Sequence, residues 1–318
     1  MSEVKLKKKR SRNGPFLRWA GGKRRLAPLV LELVEDSIDE GSGRFIDPFL
    51  GGGAVPFAIA ANDSLSAPLL ISDINKVLID AYLCVQSMDQ HFVNELERIQ
   101  HDFDIKEDNQ EEVYLELRNK FNTSRGSDEV LQAARFVALN TTSFNGLWRE
   151  NLAGEYNVPY GRITEPRILD WEGLNASQKK LEKAKISCSG FTEALTVAKS
   201  GDVVFLDPPY LPLSVTSSFS SYHGSGFSIN EHQLLAKEIC RLVDLGAEVI
   251  LCNSLSPATI EIYGSAGLYL KSHFVGRSIA ADGEKRENVE EIIATSFDIS
   301  EDLLDDFGLC ELTSEVTK

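Results

Sequence analysis

The chain has 318 residues, 42% hydrophobic and 25% charged, enough for about two domains of roughly 150 residues with sizeable cores. Its apolar runs fall far short of the ~20 residues a membrane helix needs, no signal-peptide h-region follows the basic start, and five cysteines at 84, 188, 240, 252 and 310 show neither C-x-x-C nor zinc spacing. These features set aside a membrane span, a secreted disulfide scaffold and a zinc site, and point to reduced thiols in the cytoplasm. A net charge of −15 speaks against bulk attraction to nucleic acid. The distribution softens that: residues 1–25 carry ten lysines and arginines against Glu3 alone, while 298–318 carry seven acids against Lys318. A basic arm over 1–14 can bind phosphate, although a solubilising tail would look the same.

In chain order, residues 13–25 join two aromatics, Gly21-Gly22 and a basic cluster, with Trp19 and Lys23 flanking the glycines. A helix is expected over 26–34, and a helix entry with a core Trp would read alike. Residues 44–60 read strand, glycine turn, helix, and Gly51, Gly52 and Gly53 let the backbone approach a ligand at a helix N-terminus. A second strand over 69–72 ends at Asp73, twenty residues past Gly53. That spacing suits an acid that accepts hydrogen bonds from ribose hydroxyls. The G-x-G-x-x-G fingerprint is absent, which favours S-adenosylmethionine over a dinucleotide.

From 75 to 143 the β-α rhythm breaks. Apolar positions recur at helical spacing over 75–86, 91–100, 111–121 and 128–139. Residues 140–162 then read as a long loop mixing Arg149 and Arg162 with Phe144, Trp148, Tyr156 and Tyr160. Such a mixture can read bases and wedge strands apart, or serve as a protein contact. The rhythm resumes with strands over 186–189, 202–206 and 248–252, helices over 192–198 and 230–243, and two strands in 267–297 around a loop holding Arg277.

Residues 201–210, GDVVFLDPPY, organise the chain. Val203 to Leu206 suit a strand buried on both faces. Asp207 stands at its carboxyl end, and Pro208 and Pro209 stop the ladder and stiffen the turn. Ligands of open α/β sheets bind outside those strand ends. The exocyclic amine of a base is a poor nucleophile because its lone pair is delocalised. Ionised Asp207 and the Pro208 carbonyl are two acceptors for its two hydrogens, which would turn the lone pair toward an electrophile. Tyr210 offers a face for the base to stack on. An ordinary Pro-rich turn remains the bland reading of DPPY alone. No cysteine follows a proline, so a thiol nucleophile for cytosine carbon has no candidate, and no histidine is assigned to catalysis or metal.

Taken together, FLRWAGGKRR, FIDPFLGGG, ISDIN, SFNGLWRENLAGEYNVPYGR and DPPYLPLSVTSSFSSYHGSGFS resemble the Dam-type, D12-class DNA adenine-N6 methyltransferases from about residue 15 to 297. The resemblance implies a doubly wound α/β, Rossmann-like sheet with an inserted helical target-recognition domain. Its parts would be a cofactor half over 15–85, a target domain over 86–165, a catalytic half over 166–297 and an acidic tail over 298–318. It implies S-adenosylmethionine as cofactor, contacted by Trp19, Lys23, Asp47, Phe49, Gly51, Gly53, Asp73 and Asp207. Asp207, Pro208, Pro209 and Tyr210 would handle the adenine amine. Phe144 and Asn145 would wedge into or touch the duplex, Arg149 would read a guanine, and Arg162 and Arg277 would add DNA contacts. The partner implied is double-stranded DNA, in GATC, with no metal or membrane and a monomer or weak dimer. Trp148 is bulky for its place before Arg149, and Asp282 and Glu284 would weaken phosphate binding by the loop after Gly276. Methylation of cytosine N4 or of an RNA base, and a DNA-binding protein with a retired active site, are the other readings.

Overall fold

A computed structural model describes residues 14–19, 21, 23–37, 43–65, 67–211, 227–276 and 288–312. They form two compact units, one built on residues up to Ala27, Gly51–Asp63 and Asn75–Ala184, the other on Pro28–Leu50, Ser64–Ile74 and residues from Lys185 onward.

The second unit is organised by one eight-stranded sheet. Its strands are β1 (Phe45–Asp47), β2 (Leu69–Asp73), β3 (Lys185–Cys188), β4 (Val203–Leu206), β5 (Glu248–Ser254), β6 (Tyr269–Gly276), β7 (Asn288–Thr295) and β8 (Cys310–Glu311). The spatial order is β3-β2-β1-β4-β5-β7-β6-β8. The first five strands run parallel. β7 lies antiparallel between β5 and β6, and β8 pairs antiparallel with β6. Strand order reverses between β1 and β4, the switch point at which open α/β sheets bind ligands.

All four residues of β4 are buried, as the apolar run requires. The helix Ile229–Leu245 covers one face, laying Leu235, Ile239 and Leu242 against Val204, Leu206, Val249 and Leu251. It starts at a capping box of Ser228 and Glu231 and ends at Gly246 with φ 85°. At the amino ends of β1 and β4, Asp202 accepts from the Arg44 guanidinium and from the Lys199 N–H at 2.8 Å. That pins the register in which Phe45 faces Val203.

Residues 298–311 differ from the expected acidic tail. Ser300 caps a helix, Glu301–Phe307, and β8 joins the sheet opposite Lys271 and Ser272. Ile299 and Leu309 are buried while Glu301, Asp302, Asp305 and Asp306 face solvent. Charge counting saw only the exposed face.

The other unit is helical: Ala54–Ile59, Lys76–Ser87, Gln90–Ile105, Gln110–Thr123, Glu129–Thr142 and Trp171–Leu181. Helix Lys76–Ser87 packs on both Glu129–Thr142 and Trp171–Leu181, and Gln86 Nε2 donates to the carbonyls of Leu181 and Ala184 at 2.6 and 2.8 Å. The unit therefore takes in residues on either side of the expected 86–165 span. Inside it, Glu95 is shared by Arg98 and buried Arg135, which offsets the cost of burying the carboxylate and holds its pKa down despite that burial.

Candidate active site

Three carboxylates mark the carboxyl ends of neighbouring strands in the sheet unit: Asp73 on β2, Asp47 on β1 and Asp207 just past β4. Asp47 is 2% exposed and accepts from the Phe49 N–H at 2.9 Å. Burial drives its pKa well above the usual carboxylate value. The Phe49 N–H opposes that, and the charges of Asp207 and Asp73 add to it. The three acids thus share one field. Leu50 N–H donates to the Ser72 carbonyl at 2.9 Å, folding the chain after β1 against β2.

After β4 the turn is held from several sides. Pro208 is buried and Pro209 exposed. The Tyr210 hydroxyl donates to Glu291 Oε2 on β7 at 2.8 Å. Leu211 N–H donates to Asn253 Oδ1 at 3.3 Å, and Ser254 Oγ donates to the Leu211 carbonyl at 2.9 Å. Burial, followed by the charges of Asp207, Cys252 and Glu291, pushes the Tyr210 pKa far up, so the phenol stays protonated. His232 is fully buried and shares a 2.6 Å hydrogen bond with Tyr263. Burial lowers its pKa to about 4, against the opposing effects of Glu231 and the Pro209 carbonyl, which leaves the imidazole neutral near pH 7.

Beside this edge three rings cluster. Phe49 stacks on Phe191 at 5.7 Å and meets Phe227 edge-on at 5.7 Å, and Phe191 lies 5.5 Å from Phe227. Ile74, next to Asp73, is 80% exposed. Sequence reading missed Phe191, Phe227 and Ile74. An aromatic just past β3 and an apolar residue just past β2 were the available signals.

In the helical unit, the glycine turn is shaped by its neighbours. A Cβ on Gly52 would come within 2.6 Å of the Trp19 Cβ, and one on Gly53 within 2.6 Å of the Tyr82 hydroxyl. Gly53 also has φ 68°, so a side chain there is excluded by sterics and by backbone. Tyr82 in turn donates to the Gly51 carbonyl at 3.3 Å. Lys23 is buried, and its carbonyl accepts from the N–H groups of Leu26 and Ala27. Asn140, 2% exposed, joins this segment to the loop beyond. It accepts from Arg18 N–H at 2.9 Å and donates to the Arg18 and Gly146 carbonyls at 2.8 and 2.9 Å.

The stretch 143–162 is far more ordered than a free loop. Bridges Ser143↔Tyr160 and Glu150↔Tyr156 close it, and Phe144–Gly146 form a 3-10 turn. Trp148 packs among Phe121, Phe136 and Tyr156 with centroids 5.3 to 6.2 Å away. Tyr156 is buried, and Tyr160 donates to Gln110 Oε1. These three rings build the loop: an aromatic is worth more packed on its neighbours than left in water. The bulk of Trp148 is explained by the same packing. Phe144 is 48% exposed, and Asn145, Arg149 and Arg162 are exposed. Asn145 and Arg162 hold φ of 56° and 49°, uncommon for residues with side chains. Arg149 donates from Nε to Asn157 Oδ1 at 2.7 Å and from Nη2 to the Asn157 carbonyl at 3.1 Å, which aims a guanidinium with other N–H groups still to give. Arg277 lies outside the described residues.

The profile of the D12 class N6 adenine-specific DNA methyltransferases matches residues 19–276. The chain belongs to this family. A type II methyltransferase of Methanocaldococcus jannaschii, M.MjaIII, is 36% identical over 279 residues, covering 86% of this chain and 95% of the relative. A DNA adenine methylase of Salmonella typhi is 35% identical, and one of Escherichia coli K12 is 34% identical, each across 89% of this chain and 95% of the relative. A solved METTL16 methyltransferase domain aligns over 86% of the chain with a TM-score of 0.33 and 11% identity, so the fold assignment stands on the strand order. This D12-class methyltransferase carries the Asp207 turn and the 143–162 loop inside the matched span, whereas Glu291 lies beyond it. Membership settles the broad activity: methylation of adenine in DNA, from a methyl donor. Among the described residues, no helix is long and apolar enough to cross a membrane, and no group of His, Cys, Asp or Glu is set to hold a metal.

Proposed function

We propose that this adenine methyltransferase uses S-adenosylmethionine, acts on an adenine flipped out of duplex DNA, and takes GATC as its site. The observation that carries the reading is Asp207 at the carboxyl end of β4, on a proline-stiffened turn at the switch point of the sheet.

The residues present fit the cofactor. The charges of Asp73 and Asp207, both felt by Asp47, favour a cationic sulfonium and would repel a pyrophosphate. Asp73 supplies acceptors for ribose hydroxyls, with exposed Ile74 beside it as an apolar surface for a base. Phe49 adds its aromatic cluster, and Asp47, Trp19, Lys23, Gly51 and Gly53 complete the proposed cofactor set. When bound, S-adenosylmethionine supplies an electrophilic methyl on a good leaving group.

The chain's own residues then do three things. Asp207 and the Pro208 carbonyl accept hydrogen bonds from the two amine N–H groups and direct the nitrogen lone pair outward. Asp207 also offsets the positive charge that develops on N6, the kind of aimed electrostatics that contributes most to catalysis. Tyr210, held protonated, acts through its ring face, with Pro209 fixing the turn. Extruding the base costs a few kcal/mol, offset by that stack and by the target loop. There Phe144 and Asn145 wedge into or touch the duplex, Arg149 reads a guanine, and Arg162 and Arg277 add DNA contacts.

The test is digestion of DNA from cells expressing the protein in a host lacking adenine methylation. The DNA should resist an enzyme that cuts only unmethylated GATC and yield to one that needs N6-methyladenine there. DNA carrying N6-methyladenine in another sequence would remove GATC and leave the chemistry standing.

A further inference from the structure

The turn that carries the chemistry is anchored from strands the motif does not include. Two residues of β5, Asn253 and Ser254, take both backbone groups of Leu211. Glu291 sits on the adjacent strand β7, opposite Ser254, and takes the hydroxyl of Tyr210. The Leu255 N–H donates to the Glu290 carbonyl at 3.1 Å, tying the end of β5 to the same point of β7. A phenylalanine at 210 would pack a ring without a buried polar group. A carboxylate here instead adds negative charge within the field of Asp207, which acts on the same phenol. That arrangement is costly for stability alone, and an O–H···O⁻ bond is among the stronger neutral-to-charged contacts.

We propose that Glu291 is a positioning residue for the methyl transfer: through the Tyr210 hydroxyl it fixes the plane of the ring against which the flipped adenine lies. The proposal rests on the stacking role given to Tyr210 above. A ring held at its hydroxyl, in a turn anchored at the next residue Leu211, meets the base in one orientation. Glu291 itself touches no reacting atom.

The experiment uses the full chain, S-adenosylmethionine and plasmid DNA free of N6-methyladenine, with wild type, E291Q, E291L, Y210F and E291L/Y210F. Wild-type turnover tests the stacking and methyl-transfer reading separately, since its absence would sink that reading rather than this one. The expected result is a loss of about ten-fold or more in kcat for E291L and for Y210F, with cofactor affinity by calorimetry unchanged. E291Q, whose side-chain carbonyl still accepts, should recover most of the rate. The double variant should be no slower than the slower single variant, because both remove one contact. Wild-type kcat in folded E291L, E291Q as slow as E291L, or losses that multiply in the double variant would each overturn the proposal. If E291L does not fold, Y210F and E291Q decide it alone: wild-type kcat in Y210F, or a ten-fold loss in E291Q, overturns it.

Discussion

The turn after β4 and the loop over 143–162 both mix aromatics with polar residues, yet the fold uses them in opposite ways. At the turn, the ring of Tyr210 is tied by its hydroxyl while its acid neighbour Asp207 stands at a strand end. In the loop, Trp148, Tyr156 and Tyr160 turn inward to build the support, leaving Phe144, Asn145, Arg149 and Arg162 outside. On the proposed function, the chemistry sits at the end of a buried strand, whereas recognition sits on a loop held in shape by its own packed rings. In the loop most aromatics are scaffold, and the residues proposed to meet DNA are the few left over.

The sharpest way to break that comparison is at the turn. Asp207→Ala should lower kcat by about a hundred-fold or more, the scale of losing one aimed electrostatic group, while thermal unfolding stays cooperative. Single-turnover kinetics would check this, and near-normal transfer would remove Asp207 from the chemistry.

Next is the split within the loop. Trp148→Ala should cost about 3 kcal/mol of stability, as large aromatic truncations in packed surroundings do. Phe144→Ala should stay within about 0.5 kcal/mol of wild type and lose DNA affinity instead. Denaturant melts beside DNA titrations would separate them, and similar destabilisation by both would erase the scaffold-versus-reader distinction.

Arg149→Ala should cost about 1–3 kcal/mol of discrimination at one base pair. Asn157→Ala should show a smaller loss at the same base pair, since Asn157 only aims the guanidinium. Methylation of a duplex series with each site position changed in turn would read this. Uniform losses for Arg149→Ala would make it a backbone contact.

Asp47 sharpens the strand-end half. Its folded pKa is raised above the ordinary value of about 3.9, so the neutral carboxyl is the form that favours folding. That contribution is full below about pH 4 and is lost as pH rises through the raised value. Asp47→Asn, which cannot ionise, should therefore be more stable than its parent at pH 8, with the gain shrinking toward pH 4. Melts at several pH values would check the sign, and a loss that grows with pH would mean Asp47 is favoured ionised. The smallest expected effect is in the arm: Lys8→Ala should flatten the salt dependence of DNA binding by roughly one counterion, alike on all sequences.

How far the sequence carried follows the same division. Strands β1, β2, β4 and β5 were legible as short apolar runs, the first three ending at Asp47, Asp73 and the Pro-Pro turn, signals that need no tertiary context. The helices of residues 76–142 were legible from their apolar spacing. The helices Trp171–Leu181 and Pro257–Gly264 and strand β8 were not singled out. Helix Pro257–Gly264 is short, and β8 has two residues that gain meaning only beside β6. At the site, DPPY announced Asp207 and Tyr210, but nothing local marks Glu291. It is 81 residues from Tyr210 in sequence, and its role depends on β7 lying next to β5. The packing of Trp148 was not legible for a related reason: composition cannot say which rings of a loop face inward.

The central claim, an amine held by Asp207 and methylated at N6, is tested most directly by product analysis. Purified protein, S-adenosylmethionine and methyl-free duplex DNA would be incubated, the DNA hydrolysed, and its deoxynucleosides examined by mass spectrometry beside an Asp207→Ala control. The account predicts N6-methyldeoxyadenosine from wild type and about a hundred-fold less or lower from Asp207→Ala over the same time. N4-methyldeoxycytidine as the product, or equal N6-methyldeoxyadenosine from both proteins, would contradict it.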